Sequence, residues 1–138
     1  FLGTIYSSGQ GVLKDYKKAM MWYRLAAENG YASAQTSLGR IYNLGNGVTQ
    51  DYAEAVKWYR KAADQGDNLA QEYLGGMYAK GQGVPKDYVQ AHKWFNIASS
   101  SGNDAARNGR DDLAKLMTPE QIQQAQALAA EWVRNHPK

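Results

Sequence analysis

The chain repeats itself every 36 residues, and few architectures accommodate such a period. Leu2-Gly3, Leu38-Gly39 and Leu74-Gly75 stand one period apart. The same step relates further sets, among them Gly45-x-Gly47-Val48 with Gly81-x-Gly83-Val84, Asp51-Tyr52 with Asp87-Tyr88, and Trp22 with Trp58 and Trp94. A fixed period of roughly 20 to 50 residues is typical of solenoids, in which identical small units stack on one another.

Each unit reads as two helices, as its second copy illustrates. Apolar residues recur at helical spacing from about Ser33 to Leu44, which predicts a first helix. The glycines of Gly45-Asn46-Gly47 end it, because glycine readily adopts the positive φ of a helix C-terminus. Asp51 then serves as an N-cap, with Glu54 completing a pair that resembles a capping box. A second helix follows and runs to about Gln65.

Two glycines lie inside predicted first helices, Gly39 and Gly75. Glycine in a helix costs about 1 kcal/mol relative to alanine, so its recurrence needs a structural reason. We expect each glycine to let an aromatic ring of the paired helix, such as Tyr59 or Trp58, approach the backbone. Neither helix can bury such rings alone, so the units must stack.

The last part of the chain, residues 104–138, departs from the repeat. One helix is predicted there, with Ala106, Leu113, Leu116 and Met117 as its apolar residues. Thr118-Pro119-Glu120-Gln121 begins another, with an N-cap threonine and proline at the first helical position. We expect this pair to cap the solenoid, after repeats at 1–31, 32–67 and 68–103. The apolar side of the closing helix comprises Ile122, Ala125, Leu128, Ala129 and Trp132.

Composition excludes several function classes. There is no cysteine, which rules out disulfides and thiolate chemistry, and the net charge of +3 is too dispersed for a nucleic-acid stripe. No apolar run approaches the ~20 residues of a membrane span.

His92 and His136 are 44 positions apart, so we expect neither a metal site nor a cofactor, and we place His92 on the surface. The chain opens at Phe1 in mid-repeat, so we expect a fragment, with the compartment open between bacterial cytoplasm and periplasm.

The motifs Leu-Gly-x-x-Tyr, Gly-x-Gly-Val-x-x-Asp and Ala-x-x-Trp-Tyr-x-x-Ala-Ala-x-x-Gly resemble those of the Sel-one-like repeat (SLR) family of the tetratricopeptide superfamily. The segment from Met117 to Ala129 is similar to the closing helix of many bacterial members, which favours a bacterial source. The resemblance implies an all-α, right-handed superhelix that acts as an adaptor or scaffold for a protein or peptide. It also implies that the first helices line the concave side.

Residues that the repeat leaves variable on those first helices are the candidate binding residues. They are polar and mixed in charge. The set comprises Thr36, Arg40, Asn43, Glu72, Lys80, Asn108 and Asp112, with Thr4, Ser7, Ser8, Ser33, Ala79 and Lys115 as further candidates.

Two other function classes stay open as alternatives, an envelope glycan-binding module and a β-lactamase-like or peptidoglycan hydrolase. The hydrolase is disfavoured, because no serine has a lysine three residues on, as a penicillin-binding nucleophile requires. The Gly-x-Gly loops lack both the third glycine and the preceding strand of a phosphate-binding motif. We therefore expect the chain not to be an enzyme.

Overall fold

The computed structural model describes residues 13–137, and the regular structure of this part is entirely α-helical. The predicted all-α helical repeat is confirmed. Residues 1–12 and Lys138 lie outside the described residues, and with them the candidates Thr4, Ser7 and Ser8. The helices are α1 (Leu13–Glu28), α2 (Ala32–Leu44), α3 (Tyr52–Asp64), α4 (Asn68–Lys80), α5 (Tyr88–Ser100), α6 (Asp104–Ala114) and α7 (Pro119–Asn135).

Helix boundaries follow the predicted turn chemistry. Helix α2 ends at Gly45, whose φ of 72° is left-handed and whose N–H donates to the Ile41 carbonyl. Helix α3 begins after Asp51, whose carboxylate accepts from the Glu54 N–H at 3.1 Å. The N-cap is therefore confirmed. The Glu54 carboxylate lies 3.6 Å from Lys57 Nζ and the Asp51 N–H donates to the Tyr42 carbonyl, so the predicted capping-box pair is not completed. These local bonds set where each helix starts and stops.

An arginine–tyrosine hydrogen bond recurs at the first two boundaries between consecutive units. Arg24 Nη2 donates to the Tyr42 hydroxyl, and one period later Arg60 Nη2 donates to the Tyr78 hydroxyl at 2.5 Å. Tyr59 is fully buried in the cluster between α3 and α4. The second helix of one unit therefore packs against the first helix of the next, which is how the units stack.

Helix α7 packs mainly against α5, the second helix of the third unit. It begins with a complete capping box, in which Thr118 and Gln121 each bond the other's backbone N–H. Its Ala129 lies buried beside Trp94, and the rings of Trp94 and Trp132 meet edge to face at 5.9 Å. The closing helix is thus packed on the third unit, and its role as a cap stays a prediction.

Leu116 does not pack as expected. Helix α6 ends at Ala114, and the next residues form a turn in which Leu116 is 67% exposed while Met117 is buried. The expectation that both residues lie on the apolar side of that helix is wrong, because the helix ends before their positions could share one face.

His92 is also misplaced by the sequence reasoning. It is only 3% exposed, inside α5, and its Nδ1 has no hydrogen-bond partner among the described residues. The residues one and two periods earlier are Val56 and Met20, both apolar. This repeat position is therefore occupied by different residues, and variability was mistaken for exposure.

Burial makes His92 a source of acid sensitivity. Desolvation, followed by the nearby Arg110 guanidinium, lowers its pKa below the ordinary value of 6.5, and Asp111 opposes the shift. The unfolded chain then takes up the proton more readily than the folded one. Stability is therefore fully present above pH 6.5 and falls as the pH drops below it.

We expect His92→Val, which installs the residue of the preceding unit, to flatten this dependence. For each pH unit by which the pKa of His92 in the folded chain lies below its value in the unfolded chain, the free energy of unfolding falls by about 1.4 kcal/mol at low pH. Urea unfolding at pH 7.5, 6.0 and 5.0 measures it. If the variant and the wild type lose the same stability between pH 7.5 and 5.0, other groups are responsible.

Candidate binding face of the first helices

One side of α2, α4 and the segment around α6 is left uncovered by the second helices. The spacing of its residues, i, i+4, i+7 and i+11, places them on one side of each helix. We call this set the first-helix face. It comprises Ser33, Ser37, Arg40 and Leu44 on α2; Leu69, Tyr73, Gly76 and Lys80 on α4; and Ala105, Gly109 and Asp112 on α6.

Several predicted binding residues do lie at or beside this face. Arg40, Lys80 and Asp112 are exposed members of it, and Asn108 is exposed next to it. Glu72 is partly exposed, and its Oε1 accepts from Asn103 Nδ2 at 2.9 Å. These residues are accessible, although Glu72 already has a partner within the chain.

Thr36 does not belong to the face. It is 5% exposed, and its hydroxyl donates to the Ala32 carbonyl one turn earlier at 3.1 Å. A short β-branched side chain often bonds its own helix in this way, and its hydroxyl is then engaged within the helix. The prediction that Thr36 contacts a partner is therefore withdrawn.

Apolar residues on the face were missed from the sequence. Leu44 is 57% exposed and Leu69 is 50% exposed, and both lie on the same side as Arg40. Their equivalents one period away are Lys80 and Ser33, so these positions vary between units. Variation by itself does not identify an exposed position, because the buried position of His92 varies between units as well.

Arg40 is held in place by aromatic rings. Its guanidinium carbon lies 5.6 Å from the ring centre of Tyr73, which in turn lies 5.3 Å from the ring centre of Tyr59. Burial raises the pKa of Tyr59 to about 12, so its hydroxyl stays neutral and accepts from Asn43 Nδ2 at 3.4 Å. The cation of Arg40 on α2 thus lies over the Tyr73 ring of α4, which packs in turn on Tyr59 of α3.

Charge is unevenly distributed along the face. Its α2 and α4 portions carry Arg40 and Lys80, whereas Asp112 lies on α6 with Lys115 3.6 Å away. Asp111 is exposed beside it and contacts Arg110 at 3.1 Å. The α2 and α4 portions of the face, which also carry the exposed leucines, are therefore cationic, while the α6 end mixes both signs.

Nothing among residues 13–137 groups three histidine, cysteine, aspartate or glutamate side chains as a metal site would. The hydroxyls of Ser99 and Ser100 donate to carbonyls of their own helix at 2.9 and 2.6 Å. Within the described residues, no helix combines the length and the apolar character needed to traverse a bilayer.

Comparisons with known proteins give the chain its relatives. Three consecutive segments, residues 1–31, 32–67 and 68–103, match the profile described as Sel1 repeat. No curated protein matches the chain. A solved structure of a Sel1 repeat protein from Oxalobacter formigenes is 40% identical over 80% of this chain and 84% of that one, with a TM-score of 0.72.

A longer relative is c5321, a protective antigen present in uropathogenic Escherichia coli strains, which displays an SLR fold. It is 40% identical over 98% of this chain, with a TM-score of 0.93, but this chain spans only 29% of its length. Both sources agree with the predicted bacterial origin. Proteins of this kind are helical-repeat scaffolds, generally protein-interaction modules and typically not catalytic. By its repeats and by its structural relatives, this chain belongs to the Sel1 repeat family.

Proposed function

We propose that this chain is an adaptor that binds a peptide or protein segment on the first-helix face, the side that the tetratricopeptide analogy makes concave. The observation that carries the proposal is that half-exposed leucines share this face with cations: Leu44 lies one turn after Arg40 on α2, and Leu69 and Lys80 lie near the two ends of α4. Apolar side chains that vary between units and take no part in the core are available for a partner.

We expect the leucines to supply the apolar contact with the partner and the charges to set the partner's orientation. Covering the exposed half of a leucine contributes about 1 kcal/mol. Exposed charges add little affinity singly, but they select the partner and speed association. A ligand that places an apolar residue on the leucines and acidic groups near Arg40 and Lys80 satisfies both demands.

We assign no reaction to the chain. The scaffold is typically not catalytic, and Ser99 and Ser100 hold their hydroxyls against helix carbonyls instead of a base. A hydrolase would need a nucleophile within hydrogen-bond reach of a general base.

Peptides selected on the intact chain by phage display provide the test. We expect Arg40→Glu combined with Lys80→Glu to weaken binding of a selected peptide at least tenfold, since the cationic end of the face becomes anionic. Leu44→Ser combined with Leu69→Ser should have a similar effect through lost apolar contact. Fluorescence anisotropy measures both, with circular dichroism to establish that the variants fold.

Lys57→Glu combined with Lys61→Glu is the matched control. It reverses two exposed cations on α3 and leaves the first-helix face unchanged. Binding that survives both face variants but is lost in this control would move the site to the second helices and overturn the proposal.

A further inference from the structure

A buried glutamine recurs at two equivalent boundaries between units, but its hydrogen bonds differ between them. At the first boundary, Gln35 Nε2 donates to the Ala27 carbonyl at 3.1 Å. Its remaining oxygen, Oε1, accepts from Gln65 Nε2 at 2.8 Å. The carboxamide of Gln65, at the end of α3, therefore completes the hydrogen bonding of a buried side chain.

The next boundary repeats the glutamine but not its partner. Gln71 is 2% exposed, and its Nε2 donates to the Ala63 carbonyl at 3.1 Å, the same bond in the same geometry. The residue one period after Gln65 is Ser101, whose side chain lacks the reach and the amide of glutamine. Gln71 Oε1 has no hydrogen-bond partner among the described residues.

A cavity of about 540 Å³ lies where the missing carboxamide would be. Gln71 and Ile97 are its buried wall, and Ser101 and Asp64 line it from the ends of α5 and α3. Because Gln35 makes the same bond to the Ala27 carbonyl, we expect Gln71 Oε1 to face the side that Gln65 occupies at the first boundary. Buried acceptors in proteins nearly always accept a hydrogen bond, so we expect a donor beside this oxygen.

Trp132 supplies the complementary group, a buried hydrogen-bond donor. It lines the same cavity from the end of α7, and its buried Nε1 has no acceptor among the residues of the structure's described range. The ring is stacked on exposed His136 at 4.0 Å and touches Trp94 by an edge. It lies near the end of the last helix, where a small displacement of the ring is possible.

We infer that this cavity is a binding subsite for a primary carboxamide. Such a group carries an N–H for Gln71 Oε1 and a carbonyl oxygen for Trp132 Nε1. At the first boundary, the Gln65 side chain shows that the surroundings of the equivalent glutamine, Gln35, accept a carboxamide. A carboxylate of equal size lacks the donor and would place its charge against the Gln71 oxygen. The site is separate from the first-helix face.

The probes are N-acetyl-L-glutamine methylamide and its glutamate analogue, with propionamide as a free amide. Titration into the intact protein is followed by the ¹H–¹⁵N signal of the Trp132 indole, assigned with Trp132→Phe. We expect the glutamine compound to shift this signal and to bind at least tenfold more tightly than the glutamate compound. Binding of propionamide as well indicates a free amide ligand, whereas binding of the blocked glutamine alone indicates a peptide-borne side chain.

Ser101→Gln is the decisive variant, and Ser101→Ala is its matched control. The glutamine side chain should fill the cavity from within and raise Tm by about 4 °C. It should also weaken binding of the glutamine probe at least tenfold. The alanine should leave binding unchanged.

Three outcomes would overturn the inference. They are equal affinity for the glutamine and glutamate compounds, probe binding that persists in Ser101→Gln, and no response to any amide. The last would mean that water alone satisfies Gln71.

Discussion

Leucine in place of Gly75 is expected to destabilise the protein severely and to lower its melting temperature. A Cβ at this position would lie 2.8 Å from Phe95 Cδ1 and 3.2 Å from the Ala91 carbonyl oxygen. At Gly39 the same atom would lie 2.6 Å from Cε1 of the fully buried Tyr59. Overpacking of this kind costs about 1–3 kcal/mol or more, out of a typical total of about 5–15 kcal/mol.

Thermal unfolding followed by circular dichroism measures the effect. Gly76→Leu is the matched control, because it adds the same side chain one residue further along α4, where a Cβ meets nothing within 4 Å. We expect that variant to melt at or above the wild-type temperature, since it removes a flexible glycine from a helix. A Gly75→Leu protein that melts with the wild type would show that the ring contact does not limit packing.

Deleting residues 118–138 is expected to turn a monomeric fold into an aggregating one. The truncation removes Ala125 and Ala129, which lie buried in the clusters around α5. Trp94 would lose its contact with Trp132, and Ile97 would lose the cover of α7. Contiguous apolar surface of this kind promotes self-association, and repeat arrays need a covered end.

Size-exclusion chromatography with light scattering distinguishes the outcomes. Deleting only residues 134–138 is the control, because it keeps Trp132 and the buried alanines of α7. We expect the shorter deletion to stay monodisperse. If the longer deletion also gives a stable monomer, α7 is an appendage and the array ends at α6.

The candidate site was predictable only in part. Arg40 and Lys80 could be placed on an exposed side because the repeat leaves their positions variable and their charges resist burial. Leu44 and Leu69 were missed because hydropathy alone assigns leucine to the core. Whether an apolar residue is exposed depends on which surface the neighbouring helix leaves uncovered, and this packing cannot be derived from hydropathy.

The sequence by itself determined the helices, their pairing and their stacking. Caps such as Asp51 act within a few residues, and a period of 36 repeats the residues that pair and stack the helices, so local rules suffice. The close approach of Tyr59 to Gly39 was predictable for the same reason. Tertiary structure alone decided the burial of His92, the engagement of the Thr36 hydroxyl and the unpaired oxygen of Gln71. Each depends on which atoms surround a position once the units stack, and one substitution in a neighbouring unit, such as serine for glutamine at 101, changes that environment.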